Sequence, residues 1–343
     1  MSAVASHQRG INIVLASGLT AMTLAACGSS HHDAGPPGIT VPGTPTPSVS
    51  PSSTGSPTSG PVTLWPKGQS PTSTVTIPTG NNGRCPAAPT PACTGAPGGS
   101  YLKRRALNLD GDSYRVTKAG TVLDHMWIPG NLLITANNVT VRNSQIDGRV
   151  ESDYKNQEYS FTITDSTVGS PTKCDSLPAI GEASYKASGL YIRNHADGFR
   201  VSGSNVEIRD SFVKLCSNGN DHSDGIQAYG FSQAHHVIFD HNTVDQRGVS
   251  DFTAPINLRD SSGGTLVDVT VTNNLIMGGT YSLQVKQAAG QVIVRGNQVV
   301  DKSWSYGPAE SECSVINWSG NSLVDIDSGY QVTKTVGPLS CTG

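Results

Sequence analysis

Along the latter two thirds of the chain one gapped pattern of apolar and polar positions recurs: apolar, any, apolar, any, any, Ser or Asn, any, apolar. It fits Val139 to Ile146, Phe161 to Val168, Val206 to Val213, Val237 to Val244, Val269 to Ile276, Val292 to Val299 and Ile316 to Leu323. The sixth position is in turn Ser144, Ser166, Ser211, Asn242, Asn274, Asn297 and Asn321. The alternating part predicts a short strand, and the Ser/Asn step predicts a turn that re-aims the chain. A strand this short cannot bury a core alone. Stacking each turn on the next at about 4.8 Å makes the sheets continuous and lines up the Ser/Asn side chains as a hydrogen-bonded ladder. The step from Phe161 to Val206 is 45 residues, and it reads as two turns with a longer excursion. The expected fold is all-β: a parallel solenoid over 100–343.

A second strand precedes several of these repeats, and strand alternation separates its two faces. In Phe199–Ser202, Ile226–Tyr229, Ile256–Arg259 and Leu283–Lys286 the first and third residues point to the core. The outward columns are then Arg200, Gln227, Asn257, Gln284 and Ser202, Tyr229, Arg259, Lys286. Leading into two of the strands are similar turns, His195-Ala196-Asp197-Gly198 and His222-Ser223-Asp224-Gly225. On successive turns of one coil the histidines would stack, and so would the aspartates. An Asp-Gly turn repeated for backbone reasons explains Asp and Gly but leaves the paired histidines unexplained. Asp240 and His241 fall inside the repeat, where a turn role is the expectation.

Composition narrows the partners. With 14% charged residues and a net charge of −3, the chain lacks the basic footprint of a nucleic-acid binder. Residues 28–99 are dominated by Pro, Ser, Thr and Gly. That stretch reads as a disordered, extended tether, because it has little apolar surface to offset its ordering entropy. Residues 1–26 read as a targeting segment, with a weakly positive start and a mostly apolar core from Ile11 to Leu24. Seven cysteines is an odd number for an exported chain. If Cys27 is set aside, Cys85, Cys93, Cys174, Cys216, Cys313 and Cys341 remain. Pairing of sequence neighbours is the simplest of their connectivities, and no spacing resembles a zinc site.

Leu24-Ala25-Ala26-Cys27 resembles the lipobox of bacterial lipoproteins. The resemblance implies cleavage before Cys27, lipidation of that cysteine, and an extracytoplasmic protein held at the cell membrane. The repeat region resembles the pectate-lyase-like superfamily, which implies a right-handed parallel β-helix without fixing a reaction. Asp221-His222 followed by Tyr229 is loosely similar to the Asp-x-His plus Tyr set of mannuronan epimerases, although the spacing departs from theirs. The Gly-His-Gly and Arg-Ile-Lys elements of polygalacturonase-like hydrolases are absent from the sequence.

An outward face of amides, cations and a tyrosine suits an acidic polysaccharide, since amides match hydroxyl pairs and Arg or Lys matches carboxylates. Uronate β-elimination or epimerisation is the leading expectation. Arg259 or Arg200 would neutralise the sugar carboxylate, and Lys286, His222 or Tyr229 would move the proton. Arg200, Gln227, Asn257, Gln284 and His195 would hold the substrate. Asp197 and Asp224, stacked, offer a place for Ca²⁺. Glycoside hydrolysis would instead use two carboxylates among Asp197, Asp221 and Asp224. The alternative from a different class is a monomeric, non-catalytic lipoprotein that binds polysaccharide or has a structural role.

Overall fold

The computed structural model describes residues 74–76, 85, 87–98, 101–153, 157–259 and 263–343. The expected targeting segment, Cys27 and most of the expected tether lie outside the described residues. The chain divides into two units, Met1–Gly60 and Pro61–Gly343, and all described residues belong to the second.

Every regular element among the described residues is a strand. The strands form three long sheets, and neighbours within a sheet are three strands apart in sequence. The chain therefore visits the three sheets in rotation, as a solenoid of parallel turns. The repeats lie in register: Val139 pairs with Phe161, Val206 with Val237, Val237 with Val269, and Val292 with Ile316. The two ends of the first sheet are closed by antiparallel partners, Thr74–Thr76 against Tyr101–Arg104 and Val332–Pro338 against Ser322–Ile326. Such caps cover edges that would otherwise offer unpaired backbone to another chain.

The turn hidden in the 45-residue step is Tyr185 to Ile192. Phe161 pairs with Tyr185, and Lys186 with Glu207. The ladder position of this turn holds Leu190, fully buried, whose N–H still donates to Ser211 Oγ at 3.1 Å. Elsewhere the ladder is continuous. Asn274 Oδ1 accepts from the backbone and the side chain of Asn242, and Asn274 Nδ2 donates to Asn297 Oδ1 and to the Phe239 carbonyl. The residue before each ladder position has positive φ: Asn143 50°, Asp165 44°, Gly189 67°, Asp210 49°, His241 54°, Asn273 55°, Gly296 68° and Gly320 64°. This left-handed step makes the corner of the coil, and it selects Gly, Asn, Asp and here one His. His241 thus has the turn role expected of it.

Three disulfides join Cys85 to Cys93, Cys174 to Cys216 and Cys313 to Cys341, which is the neighbour pairing. Such bonds persist in an oxidising, extracytoplasmic compartment. The last part of the expected tether departs from its prediction. Residues 87–96 form a strap laid back along the solenoid. The Ala87 carbonyl accepts from His241 Nε2 at 2.6 Å, Gly95 N–H donates to the Gly189 carbonyl, and Ala96 N–H donates to Thr167 Oγ1. Ala88 packs near Leu275, Met277 and Val300, whereas Ala96 is buried with Leu102 and Trp127. Composition misled here because the strap binds mostly through its backbone and small side chains.

Candidate functional site

The third sheet carries the expected face. Phe199, Ile226, Ile256 and Leu283 align in register and are fully buried, each worth about 1.5–3 kcal/mol of burial. Their fixed alternation turns Arg200, Gln227, Asn257 and Gln284 into one outward column, as predicted. The column continues to Glu310 at one end. At the other it passes Gly181 to Glu151 and Leu133.

The His-x-Asp-Gly turns are mainly backbone carpentry. Asp197 Oδ1 accepts from the N–H of Asp224 at 2.9 Å, and Asp224 Oδ1 accepts from the N–H of Ala254 at 3.0 Å. Each carboxylate therefore caps the equivalent amide of the next turn. A Cβ on Gly198 would lie 2.3 Å from the Gly225 carbonyl oxygen, and one on Gly225 would lie 2.3 Å from that of Pro255. Only glycine fits at these two positions, whereas the next turn places Pro255 there.

The histidines do not form the stacked pair. His195 is fully buried, with Nδ1 2.9 Å from the Leu177 carbonyl, and burial pulls its pKa below the usual imidazole value. Its carbonyl accepts from Cys216 N–H, so the 217–222 loop carries His222 out of the column. His222 is exposed, with φ of 51°. The expectation that His195 holds substrate is therefore corrected: its ring is sealed beneath the 174–177 loop. The Cys174–Cys216 bond and Asn218, which donates to Ser176 Oγ at 2.9 Å and to the Cys174 carbonyl, tie that loop to the next turn.

The aspartates are likewise unsuited to the roles expected of them. Asp224 is 1% exposed and Asp197 6%. Besides Ala254, Asp224 accepts from Asn257 Nδ2 at 3.1 Å and from Gln227 Nε2 at 2.8 Å. Arg200 donates to Asp197 Oδ2 at 3.3 Å and to Gln227 Oε1 at 3.1 Å. Burial first, then the negative Asp197, pushes the Asp224 carboxyl well above the usual range. Burial also raises Asp197 to about 6 against the pull of Asp224 N–H and Arg200. Every carboxylate oxygen of the pair already meets an N–H donor, and calcium asks for six to eight oxygen ligands. The pair does not fit Ca²⁺, and no cluster of three metal-ligating side chains occurs among the described residues. The same engagement leaves neither aspartate placed for glycoside hydrolysis, and Asp221 caps its own loop at Asn218 N–H.

The other expected residues of this face fall into two groups. The Arg200 guanidinium lies 4.7 Å over the ring of Tyr229, which is 46% exposed. Lys286 and Arg259 are adjacent on neighbouring turns, as Lys286 N–H donates to the Leu258 carbonyl. Lys286 Nζ is 2.6 Å from Glu310 Oε1, and Gln284 Nε2 donates to Glu310 Oε2 at 2.8 Å. The Lys286 contact, foremost, holds the Glu310 carboxyl below its ordinary value.

These turns enclose a cleft of ≈ 490 Å³ lined by Asn257, Arg259, Gln284, Glu310, Tyr281 and Tyr306, with Thr253 and Thr280. Tyr281 and Tyr306 meet edge to face at 5.9 Å, and Tyr306 is 74% exposed. Sequence reasoning missed both tyrosines and Glu310. Tyr306 lies outside any repeat, but Tyr281 and Glu310 sit in strands that the alternation extends to. Asn257 is 8% exposed, and its Oδ1 is buried with no hydrogen-bond partner.

No family model, no curated protein and no solved structure matches the chain.

Proposed function

We propose that the solenoid is the head of an extracytoplasmic lipoprotein and binds an acidic polysaccharide along its third sheet, across the cleft between Asn257 and Glu310. One observation carries this reading: a cleft that combines two tyrosine rings, buried amides and Arg259, with Lys286 on the adjacent turn. Tyrosine rings offer flat apolar surface to a sugar, amides match its hydroxyls, and Arg259 with Lys286 matches a carboxylate. The disulfides agree with export, and the lipobox-like Leu24–Cys27 stretch supplies the anchor of the proposal. The likeness of the repeat to right-handed pectate-lyase-like β-helices is consistent with a carbohydrate ligand.

The test is binding of the full chain to immobilised polygalacturonate, alginate and a neutral glucan. Retention on a uronate polymer but not on the glucan, lost in Arg259→Ala with Lys286→Ala, is the expected result. Equal retention on all three would overturn the reading.

Uronate elimination is the second reading, and the adjacency of Arg259 and Lys286 is what favours it. Arg259 would neutralise the carboxylate, a base would take the proton from the carbon beside it, and the glycosidic oxygen would leave. Lys286 is occupied by Glu310, so that pair must break before Lys286 can take a proton. Appearance of the unsaturated uronate product in ultraviolet absorbance, lost in Lys286→Ala, would establish it.

A further inference from the structure

Followed turn by turn, the outward column of the third sheet changes sign. Glu151 stands next to Gly181, and Gly181 next to Arg200. Glu182, which directly follows Gly181, contacts Ser202 Oγ through its Oε2. Asp153 and Glu158 belong to the same end. The carboxyls there act on one another: burial first, then Glu182 and Asp153 among others, raises Glu151, and burial with Asp153 and Glu182 raises Glu158. Arg149 is a cationic partner of Glu151, at 3.0 Å. From Arg200 to Lys286 the face is cationic or neutral: Arg200, Gln227, Tyr229, Asn257, Arg259, Gln284 and Lys286. Beyond it stand Glu310 and then Glu312, which accepts from Gln287 N–H. The cationic stretch thus spans four turns, about 14 Å from first to last at about 4.8 Å per turn, with carboxylates at both ends.

An independent mark places the ligand within this stretch. Arg200 can only donate, so its contact fixes Gln227 Oε1 towards it and Gln227 Nε2 towards Asp224. Ala254 N–H fixes Asp224 Oδ1 as an acceptor, which in turn draws in Asn257 Nδ2. Asn257 Oδ1 is left as an orphan acceptor at the cleft floor, a group that gains when a donor such as a sugar hydroxyl reaches it. It lies in the middle of the cationic stretch, two turns from Arg200 and one from Lys286.

We infer that the face selects a short acidic block of about four sugars, at a chain end or flanked by neutral or amine-bearing sugars, because the carboxylates beyond Arg200 and Lys286 repel any longer run of uronates. This rests on the acidic-polysaccharide reading above. It adds a length limit that the cations alone do not impose. A pyranose unit is similar in length to one turn, so a ligand lying along the solenoid axis sets its fifth or sixth carboxylate against Glu151 and Glu182 or against Glu310.

The experiment measures affinity of the full chain for a uronate tetramer and for a uronate polymer of the same sugar, with the wild type and Glu151→Gln/Glu182→Gln. The wild type is expected to bind the tetramer at least as tightly per molecule as it binds the polymer. The double variant is expected to gain about tenfold for the polymer with the tetramer unchanged, as removal of a like-charge clash predicts. Glu158→Gln, an exposed change that makes no demand on folding, should give a smaller gain of the same kind. Equal shifts for tetramer and polymer, or no shift in any variant, would overturn the length limit while binding itself stands. Failure of the wild type to bind either ligand would overturn the parent reading along with it.

Discussion

At the 195–198 and 222–225 turns the acidic side chains look inward and hold backbone, whereas around strands 256–258, 281–285 and 307–311 amides, tyrosines, Arg259 and Glu310 line a cleft. The first region is the more conspicuous in sequence, because it repeats. The second hardly repeats at all. The difference has a physical origin. A turn that must be built identically on successive coils demands the same residue each time, while a surface meeting an irregular ligand wants a different side chain on each turn. Repetition in a solenoid marks construction, and departure from repetition marks contact.

The comparison breaks most readily at Gly225. Gly225→Ala drives a Cβ against the Pro255 carbonyl, which has no room to move between stacked turns. A loss of about 3 kcal/mol is expected, the upper end of the usual overpacking cost, read by denaturant unfolding, and unchanged stability would remove the construction argument.

Asp197 sharpens it through pH. Its folded pKa of about 6 lies above the 3.8 of an unperturbed aspartate, so folding favours its protonated form. The stabilisation is complete below about pH 4 and is lost as pH rises through about 6, a fall of roughly 2–3 kcal/mol. Asp197→Asn should flatten that part of the stability–pH curve. A slope unchanged by the substitution would show that Asp197 is not its source.

The cleft is expected to behave in the opposite way. Arg259→Ala should cost about tenfold in uronate affinity and move stability by less than about 0.5 kcal/mol, as for an exposed side chain. Tyr306→Ala should cost about threefold in affinity through lost ring contact, again without a stability change. A thermal shift in either variant as large as that of Gly225→Ala would erase the distinction between the two regions.

Much of this molecule is legible from side-chain alternation, which is a local rule. The columns through Gln227, Asn257 and Gln284 follow from it, as does the Ser/Asn ladder, whereas the disulfides follow from the simplest pairing of sequence neighbours. The Tyr185–Ile192 turn escaped because Leu190 satisfies the ladder position with its backbone N–H alone. The preceding left-handed residue, Gly189 there and Asn, Asp, Gly or His in the other turns, is the signal that would have found it. The fate of His195 was not legible, since a loop 18 residues upstream decides it by covering the ring. Tyr306 lies outside the periodic strands, so no period points to it.

The strap of residues 87–96 also sets a load path. A pull on the chain upstream of Thr74 meets the first coil through the pairing of Thr74–Thr76 with Tyr101–Arg104, and then the strap, whose far end lies beside Leu275 and Val300. Once that pairing opens, the small Cys85–Cys93 loop and the His241 contact take the load. Because the strap runs back towards Trp127 before the chain begins to coil, tension must then peel it loose contact by contact before it can unwind the first turn. The strap is a strain relief, placed where a cable would join its plug.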